Sequence, residues 1–260
     1  MASVPVDLPP ASTAATRGRE AVAVPASDDG ESLVDGMRMD VEEFSRRYAA
    51  MREADETFHA ELIFGVVYTM QPPSAGGHGI PHAADSLPFL LYDLATPGVT
   101  YSNPAGFPAP TTDGKVEPDG CLFVEPSYGG RATLDESGNL TEAPELCIEI
   151  ANTTVYKDLV TKRALYEAAG VQEYLVHVVQ ESRVAVFVRR DDRLVPADTP
   201  DAVFRSETFP GLWLDLQALQ TLDKAAARQT LEQGLASEPH VTFVAELAAR
   251  RAERATESPG

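Results

Sequence analysis

The chain has 260 residues, 43% of them hydrophobic and 7% aromatic, and could bury roughly three quarters of its unfolded surface. No apolar run approaches the about 20 residues that cross a bilayer, so no transmembrane segment is predicted. The formal net charge of −19 argues against a broad electrostatic grip on nucleic acid, because non-specific DNA affinity comes mainly from Lys and Arg.

The first part of the chain is rich in Ala, Ser, Pro and acidic residues and lacks apolar periodicity. We therefore predict a disordered N-terminal arm over residues 1–36 and a single domain over residues 37–255. The N-terminus has no basic head before a continuous apolar core, so no secretory signal is predicted. Only two cysteines, Cys121 and Cys147, are present, which favours a reducing, cytoplasmic location over a disulfide framework.

Apolar residues recur at three- and four-residue steps between residues 41 and 51. This spacing predicts an amphipathic helix over residues 40–52, with Asp40 as its N-cap. Residues 58–64 and 66–70 are β-rich segments that meet at Gly65, and they are predicted to form a hairpin or a bent strand. Glu61 lies in the first of these segments.

Residues 72–79 are predicted to form a loop, and residues 80–95 a helix with Pro88 inside it. His78, His82 and Asp85 follow at i, i+4 and i+7, so they could share one helix face. Three interpretations stay open: a metal site that lacks a recognised zinc motif, histidines that contact a substrate phosphate at the edge of an active site, and ordinary surface or capping histidines.

A short strand is predicted at residues 99–101, and the Pro- and Gly-rich segment that follows to Gly114 is predicted to be one long loop. Long loops in compact domains are usually functional or mobile. Because this one directly precedes Asp119, we expect it to shape the approach of a substrate.

Two apolar strands are predicted next, at residues 120–124 and 146–151. Asp119 directly precedes the first strand, and Glu149 lies within the second. Side chains alternate along a strand, so Cys147, Glu149 and Ala151 share one face while the intervening residues share the other. If the two strands are neighbours, the carboxylates converge at one edge of the sheet. Hard oxygen ligands of this kind suit Mg²⁺ or Mn²⁺.

The next segment is predicted to be a helix that carries Lys162 and Tyr166 and ends at Gly170. Lys162 either supplies a cation to the site or forms an ordinary surface ion pair with Asp158 at i, i+4. Tyr166, on the same side, either steadies that lysine, contacts a substrate, or only packs. Further strands are predicted at residues 174–179 and 183–188, with an edge strand at 193–195, and His177 reads as a strand-surface residue.

Three C-terminal helices are predicted near residues 216–219, 224–235 and 241–252. The apolar faces of the last two are modest. These two helices either cap the core or form a contact between subunits, and we expect a homodimer.

These residues, in this order and spacing, resemble the bacterial family of putative restriction endonucleases nicknamed Uma-two, within the PD-(D/E)XK nuclease superfamily. The resemblance covers roughly residues 40 to 250 and rests on the following segments: Pro118-Asp119, residues 144–150, Lys162, Tyr166, and Ala169-Gly170-Val171-Gln172-Glu173-Tyr174. It implies an α/β fold: a restriction-endonuclease-like core with a central mixed β-sheet flanked by helices, plus N- and C-terminal helical additions.

The resemblance also implies a function, metal-dependent hydrolysis of phosphodiester bonds in DNA with Mg²⁺ or Mn²⁺ as cofactor. Its site residues fall into three groups: metal ligands Glu61, Asp119, Glu149 and the Ile150 carbonyl; catalytic residues Glu61, Asp119, Glu149 and Lys162; substrate-binding residues His78, His82 and Tyr166. The most familiar superfamily pattern has Lys two residues after the second acid. That position is Ala151 here, so Lys162 from the following helix becomes the candidate.

Two other readings stay open. The acidic composition and Ala151 also fit a catalytically inactive binding module on the same fold. A carboxylate-pair hydrolase, such as a glycosidase, is the third, although the few aromatic residues offer little platform for a sugar.

Overall fold

A computed structural model describes residues 32–70, 74–104, 106–136 and 138–257. Most of the predicted N-terminal arm lies outside this part of the chain. Within residues 32–36, Leu33 is buried and belongs to an apolar cluster with Phe44 and Tyr48.

Within the described residues the chain forms helices and strands in alternation. The helices are α1 Val41–Ala54, α2 Ile80–Ala95, α3 Arg163–Ala169, α4 Leu216–Thr221, α5 Lys224–Leu235 and α6 Glu238–Glu257. The strands are β1 Ala60–Ile63, β2 Val66–Thr69, β3 Val99–Ser102, β4 Phe107–Ala109, β5 Gly114–Val116, β6 Gly120–Val124, β7 Leu146–Ala151, β8 Glu173–Val178, β9 Arg183–Arg190, β10 Arg193–Pro196, β11 Val203–Arg205 and β12 Trp213–Asp215.

The centre of the fold is a six-stranded sheet in the order β10-β9-β8-β7-β6-β3. Strands β7 and β8 pair in parallel, and the other neighbours are antiparallel. A parallel pair needs a crossover connection, and α3 lies in the segment that provides it. The predicted fold class, an α/β protein with a central mixed sheet flanked by helices, is confirmed. A four-stranded sheet, β2-β1-β5-β4, and the pair β11-β12 accompany it.

The two faces of β7 enter different parts of the core. Leu146, Ile148 and Ile150 pack in one cluster with residues of α2 and the C-terminal helices. On the opposite face, Cys147 and Ala151 pack with the side chains of α3. The predicted alternation is therefore confirmed, and it places Glu149 on the α3 side of the sheet.

The two cysteines lie on that same side of the sheet. Cys121 is the cross-strand partner of Cys147, and both are buried, free thiols. Burial raises the pKa of both thiols, to about 12 for Cys121. Since thiolates are the reactive form of cysteine, these residues behave as small core side chains.

The N-terminal predictions agree closely with the structure. Asp40 caps α1 by accepting a hydrogen bond from the backbone N–H of Glu43 at 2.8 Å. Strands β1 and β2 form the predicted hairpin, joined by Phe64 and Gly65, which have φ of 51° and 70°. Two consecutive residues with positive φ are typical of the type I′ turn that matches strand twist.

The predicted long loop before Gly114 is wrong in part. Residues 107–109 and 114–116 form β4 and β5, which pair with each other, and β5 also pairs with β1. Pro108 hides this strand from a propensity argument, because proline lacks a donor for the ladder. It is tolerated here because β4 is an edge strand.

The predicted loop at residues 72–79 is also wrong in part. Residues 71–73 lie outside the described chain, but Ala75–Gly79 form a π-helical turn that runs directly into α2. Ser74 caps this turn by accepting from the Gly77 N–H at 3.1 Å. His78 therefore lies on a helical segment, and its ring is 5.3 Å from that of His82.

Of the two roles open to the C-terminal helices, the structure shows the capping role. Leu231 of α5 and Phe243 and Leu247 of α6 are buried in the cluster on the α2 side of the sheet. No helix within the described ranges has both the length and the apolar character that would let it cross a membrane.

Candidate functional site

Asp119 and Glu149 lie side by side at one end of adjacent strands. The β6–β7 register pairs Gly120 with Ile148, which leaves Asp119 opposite Glu149. The Asp119 carboxylate accepts a hydrogen bond from the Ile150 backbone N–H at 2.7 Å through Oδ2. The predicted convergence of the two acids therefore occurs, and it follows from the antiparallel pairing of their strands.

The Lys162 ammonium lies between two buried carboxylates. Its Nζ atom is 2.8 Å from Oε1 of Glu149 and 2.8 Å from Oε1 of Glu61. The side chain is 3% exposed, so this is no surface ion pair with Asp158. The lysine from the following segment thus occupies the surroundings of Glu149, while Ala151 is buried in the core.

Glu61 enters the site from β1, in the other sheet. Besides Lys162, it is contacted by Lys157, whose Nζ lies 3.3 Å from Oε2. The backbone N–H of Glu117 donates to Oε1 at 3.1 Å. Both oxygens of Glu61 are therefore engaged by ammonium groups, and the residue is fully buried.

Tyr166 completes the surroundings of Glu149. Its hydroxyl donates to Oε1 of Glu149 at 2.6 Å, and its ring packs against Phe107 and Tyr174. Because the side chain is fully buried, the substrate-contact role predicted for it does not fit this arrangement. Tyr166 packs in the core, as one of its three predicted roles had it, and its hydroxyl bonds to the Glu149 carboxylate, which none of the three roles included.

A π-helical turn over Lys157–Lys162 explains how two lysines reach one glutamate. Residues five apart point in different directions on an α-helix, but a π-helix repeats its hydrogen bonds at i→i+5 and brings them to one side. Lys157 and Lys162 are five residues apart. Sequence reasoning based on the 3.6-residue period missed Lys157, and π-helical turns have no clear sequence signal.

The cluster formed by these groups, here called the carboxylate–lysine cluster, holds four acids and two amines. Its members are Glu61, Asp119, Glu149, Asp158, Lys157 and Lys162. When all of them are ionised, the negative charges exceed the positive ones by two.

The titration of the cluster follows from burial and from this charge balance. Desolvation raises the pKa of Glu149 well above its usual value, and the neighbouring acids add to the rise against the opposing effect of Lys162. Desolvation also acts on Glu61, but Lys162 and Lys157 hold its pKa below the usual value. Burial would lower the pKa of Lys162, yet the surrounding carboxylates raise it well above normal. Lys162 is therefore an ammonium at neutral pH.

The donor set fits a hard divalent cation in part. Mg²⁺ is usually held by one or two carboxylates, with water and substrate phosphate completing its shell, and Asp119 and Glu149 are two adjacent carboxylates. Both side-chain contacts to Glu149 from Lys162 and Tyr166 use the same oxygen, Oε1. Within the described residues, however, no group of three or more His, Cys, Asp or Glu side chains is arranged to hold a metal ion.

The cluster opens to solvent at Asp119 and His78. Their side chains are 23% and 24% exposed, whereas those of Glu61, Glu149 and Lys162 are at most 5% exposed. His78 Nε2 lies 3.4 Å from Oδ1 of Asp119, and His82 Nε2 is 2.8 Å from the Asp119 carbonyl oxygen. A ligand can therefore reach the cluster from the side of His78 and Asp119.

Asp85 does not join the two histidines at this opening. It is buried and its Oδ2 lies 2.6 Å from Nδ1 of His177, on the opposite face of the central sheet. The prediction that His177 is a strand-surface residue is wrong, because α2 covers that face. Burial raises the pKa of Asp85, against the effect of His177.

Glu173, in the segment of residues 169–174, has a structural role. Its buried carboxylate accepts from Ser206 Oγ at 2.6 Å and from the backbone N–H groups of Glu207 and Thr208 at 2.9 and 3.1 Å. Glu173 therefore holds the turn that precedes β12, and it lies on the α2 side of the sheet, away from Glu149.

The family model described as Uma2, putative restriction endonuclease, matches residues 41–217 of the chain, a range that includes every member of the carboxylate–lysine cluster. Among solved structures, the chain is similar to the crystal structure of a putative nuclease belonging to DUF820 from Anabaena variabilis. The identity is 18% and the TM-score 0.47, over 70% of this chain and 99% of that chain. No curated protein sequence matches significantly.

Proposed function

The chain belongs to the Uma2 family of putative restriction endonucleases, and on that premise we propose that it is a metal-dependent phosphodiester hydrolase that cuts DNA. The observation that carries this proposal is the Lys162 ammonium bonded to Glu149, on the strand next to Asp119. Asp119 and Glu149 supply two carboxylates and Lys162 supplies an ammonium, and metal-dependent hydrolysis of a phosphodiester needs groups of these kinds.

In this proposal Mg²⁺ or Mn²⁺ is held by Asp119, Glu149 and the Ile150 carbonyl. When all its members are ionised, the cluster has an excess of two negative charges, which favours a divalent cation because clustered acids repel each other without one. When bound there, the ion would neutralise charge on the scissile phosphate and activate water. Glu61 was expected among the metal ligands. We instead propose that it binds and positions Lys157 and Lys162, because both of its oxygens face their ammonium groups.

Lys162 acts as a fixed positive charge rather than as a base. The surrounding carboxylates raise its pKa, so the amine keeps its proton at neutral pH. Glu61, Glu149 and the π-helical turn hold the ammonium in place before substrate arrives. Preorganised charge of this kind stabilises negative charge that develops on a phosphoryl oxygen.

The residues at the opening have separate roles in this proposal. His78, which is partly exposed beside Asp119, contacts the substrate phosphate. His82 positions Asp119 by a hydrogen bond to the backbone carbonyl of Asp119, and Tyr166 positions Glu149 by a hydrogen bond to its carboxylate.

A DNA-cleavage assay with Mg²⁺ and Mn²⁺ tests the assignment. We expect Asp119→Asn, Glu149→Gln and Lys162→Met each to lower the cleavage rate by about 100-fold or more, as for removal of one preorganised group. Glu232→Gln is the control, because Glu232 is an exposed residue of α5 paired with Arg228. Cleavage that persists in all three site variants rejects the proposal.

A catalytically inactive binding module on the same fold is the second candidate. It is favoured by the engagement of Glu61 with both lysines, which leaves two carboxylates rather than three for a metal. Titration calorimetry with Mn²⁺ separates the two candidates. Heat of binding that disappears in Asp119→Asn supports the hydrolase, and the absence of any binding at neutral pH supports the inactive module.

A homodimer stays a prediction. Light scattering of the full chain in solution measures it directly, and a mass equal to one chain would contradict it.

A further inference from the structure

A cavity of about 530 Å³ lies between α1, β3, β5 and the segment near residue 139. Small-molecule sites typically have volumes of about 300–1,000 Å³, so the cavity is of the size that holds one nucleotide. Its wall includes Arg52, His59, Lys115, Glu117 and Phe123. We call it the Lys115 cavity.

Glu117 connects the Lys115 cavity to the carboxylate–lysine cluster. Its side chain lines the cavity, while its backbone N–H donates to Oε1 of Glu61 at 3.1 Å. Asp119 follows two residues later, in the connection between β5 and β6. A strand of DNA with one phosphate at Asp119 would therefore bring a neighbouring nucleotide to this cavity.

The cavity has a surplus of positive charge in a chain that is otherwise strongly acidic. The Glu117 carboxylate is already bonded, through Oε1 to the Tyr48 hydroxyl at 2.6 Å and through Oε2 to His59 Nδ1 at 3.0 Å. Lys115 Nζ lies 5.7 Å from the centre of the Tyr48 ring. Arg52 contacts the backbone carbonyls of Glu56 and Phe58 and Nε2 of His59, all through the single nitrogen Nη1. In the described part of the chain, neither cation forms an ion pair with a carboxylate, so both remain able to bind an anion.

The rest of the wall combines apolar and polar groups. Phe123 and Leu140 contribute apolar surface, and Thr100, Ser102 and Asn139 contribute hydrogen-bonding groups. A nucleotide has this composition: an apolar ring face, a polar ring edge and a phosphate. Duplex DNA keeps its bases stacked and paired, so only an unpaired nucleotide can enter.

We propose that the Lys115 cavity binds an unpaired nucleotide of the DNA strand next to the scissile phosphate, with Lys115 and Arg52 on its phosphate. The protein then prefers single-stranded or locally unpaired DNA. This inference rests on the proposed function only in placing the cut strand at Asp119.

The test is fluorescence anisotropy with a short labelled single-stranded deoxyoligonucleotide, in EDTA so that no cleavage occurs. We expect Lys115→Gln to weaken binding about tenfold and to lower the slope of log K against log salt by about 0.7, the value for one lost contact to a single strand. Lys224→Gln, an exposed lysine of α5, is the matched control and should bind like the wild type.

A second pair of variants tests the space inside the Lys115 cavity without changing the charge of the protein. Ala49 is an exposed residue of α1 at the cavity wall, so Ala49→Trp should obstruct the cavity and weaken oligonucleotide binding. Ala225→Trp, at an exposed position of α5, should not. Arg52 is a less suitable residue to substitute, because its side chain donates to backbone carbonyls. A loss of affinity in an Arg52 variant could then come from misfolding as well as from a lost contact with the oligonucleotide.

Two results would overturn the inference: equal affinity of Lys115→Gln and Lys224→Gln, or binding of a duplex of the same sequence as tightly as the single strand. Neither depends on cleavage. If Asp119→Asn abolishes cleavage while Lys115→Gln binds normally, the cavity assignment fails and the hydrolase stands. If binding depends on Lys115 and no cleavage is found, the cavity assignment stands and the hydrolase proposal fails.

Discussion

Replacing Lys162 by Met removes the ammonium from between two buried carboxylates and keeps most of the stem. At an effective dielectric constant of about 20, two charges 2.8 Å apart attract by about 6 kcal/mol. Desolvation of the three charged groups cancels much of that attraction. Breaking a buried pair by removing one partner leaves the other charge uncompensated, so we expect Lys162→Met to lower the free energy of unfolding by about 3–5 kcal/mol.

The assay is urea unfolding at neutral pH without divalent ions, followed by circular dichroism. Thermal unfolding should agree, since about 2–4 °C per kcal/mol is usual for a domain of this size and the loss then amounts to roughly 10 °C. Lys157→Met is the matched control: the side chain is 19% exposed, its Nζ lies 3.3 Å from Oε2 of Glu61, and it also lies 5.7 Å from the centre of the Tyr68 ring. We expect this variant to lose about 1 kcal/mol, because screening by solvent weakens such pairs.

The double variant Lys162→Met/Glu149→Gln isolates the interaction energy between Lys162 and Glu149. Since the substitution of Glu149 removes one of the stranded charges, the double variant should be less destabilised than the sum of the two single variants, by about 1 kcal/mol or more. The reasoning would be refuted if Lys162→Met were as stable as Lys157→Met or more stable. In that case the Lys162 ammonium could not be the buried partner of both Glu61 and Glu149.

Three further predictions concern single residues. The pKa of Glu149 is raised above the usual 4.5, so its contribution to stability is complete below that pH and is lost as the pH rises through the folded-state pKa. Urea midpoints should therefore fall more steeply from acidic to neutral pH in the wild type than in Glu149→Gln, and parallel curves would contradict this. Glu173→Ala leaves the buried Ser206 hydroxyl and two partly buried N–H groups of its turn without an acceptor and should cost about 3 kcal/mol in urea unfolding. A loss under about 0.5 kcal/mol, as at an ordinary surface site, would show that the turn does not need Glu173. Saturating Mg²⁺ at about 100 times its dissociation constant should stabilise the wild type by about 2.7 kcal/mol and leave Asp119→Asn unchanged, as measured by thermal unfolding; equal shifts in both would place the ion elsewhere.

Local pattern was enough to predict much of the fold. The 3.6-residue period of residues 41–51 and the period of two along residues 146–151 report which face of an element is buried, and both were confirmed. Gly65 and Gly170 mark a turn and a helix end because both adopt positive φ, which costs glycine little. The errors fell where this local signal is weak, at Pro108 in an edge strand and at the π-helical turn before α2.

By itself, then, the sequence determined most of the elements and the buried faces of α1 and β7, because each depends on periodicity along the chain. The meeting of Asp119 with Glu149 was predicted only on the condition that their strands are neighbours, and the tertiary structure met that condition. Only the tertiary structure decided that Lys162 bridges to Glu61, that Lys157 joins it, and that the carboxylate of Glu117 faces a cavity while its backbone faces the cluster. The contacts of Glu61 with Lys157 and Lys162 join a strand of the four-stranded sheet to a helical segment roughly a hundred positions later in the chain. No local period encodes how two sheets pack against each other, since that packing depends on the fit of side chains from many separate elements.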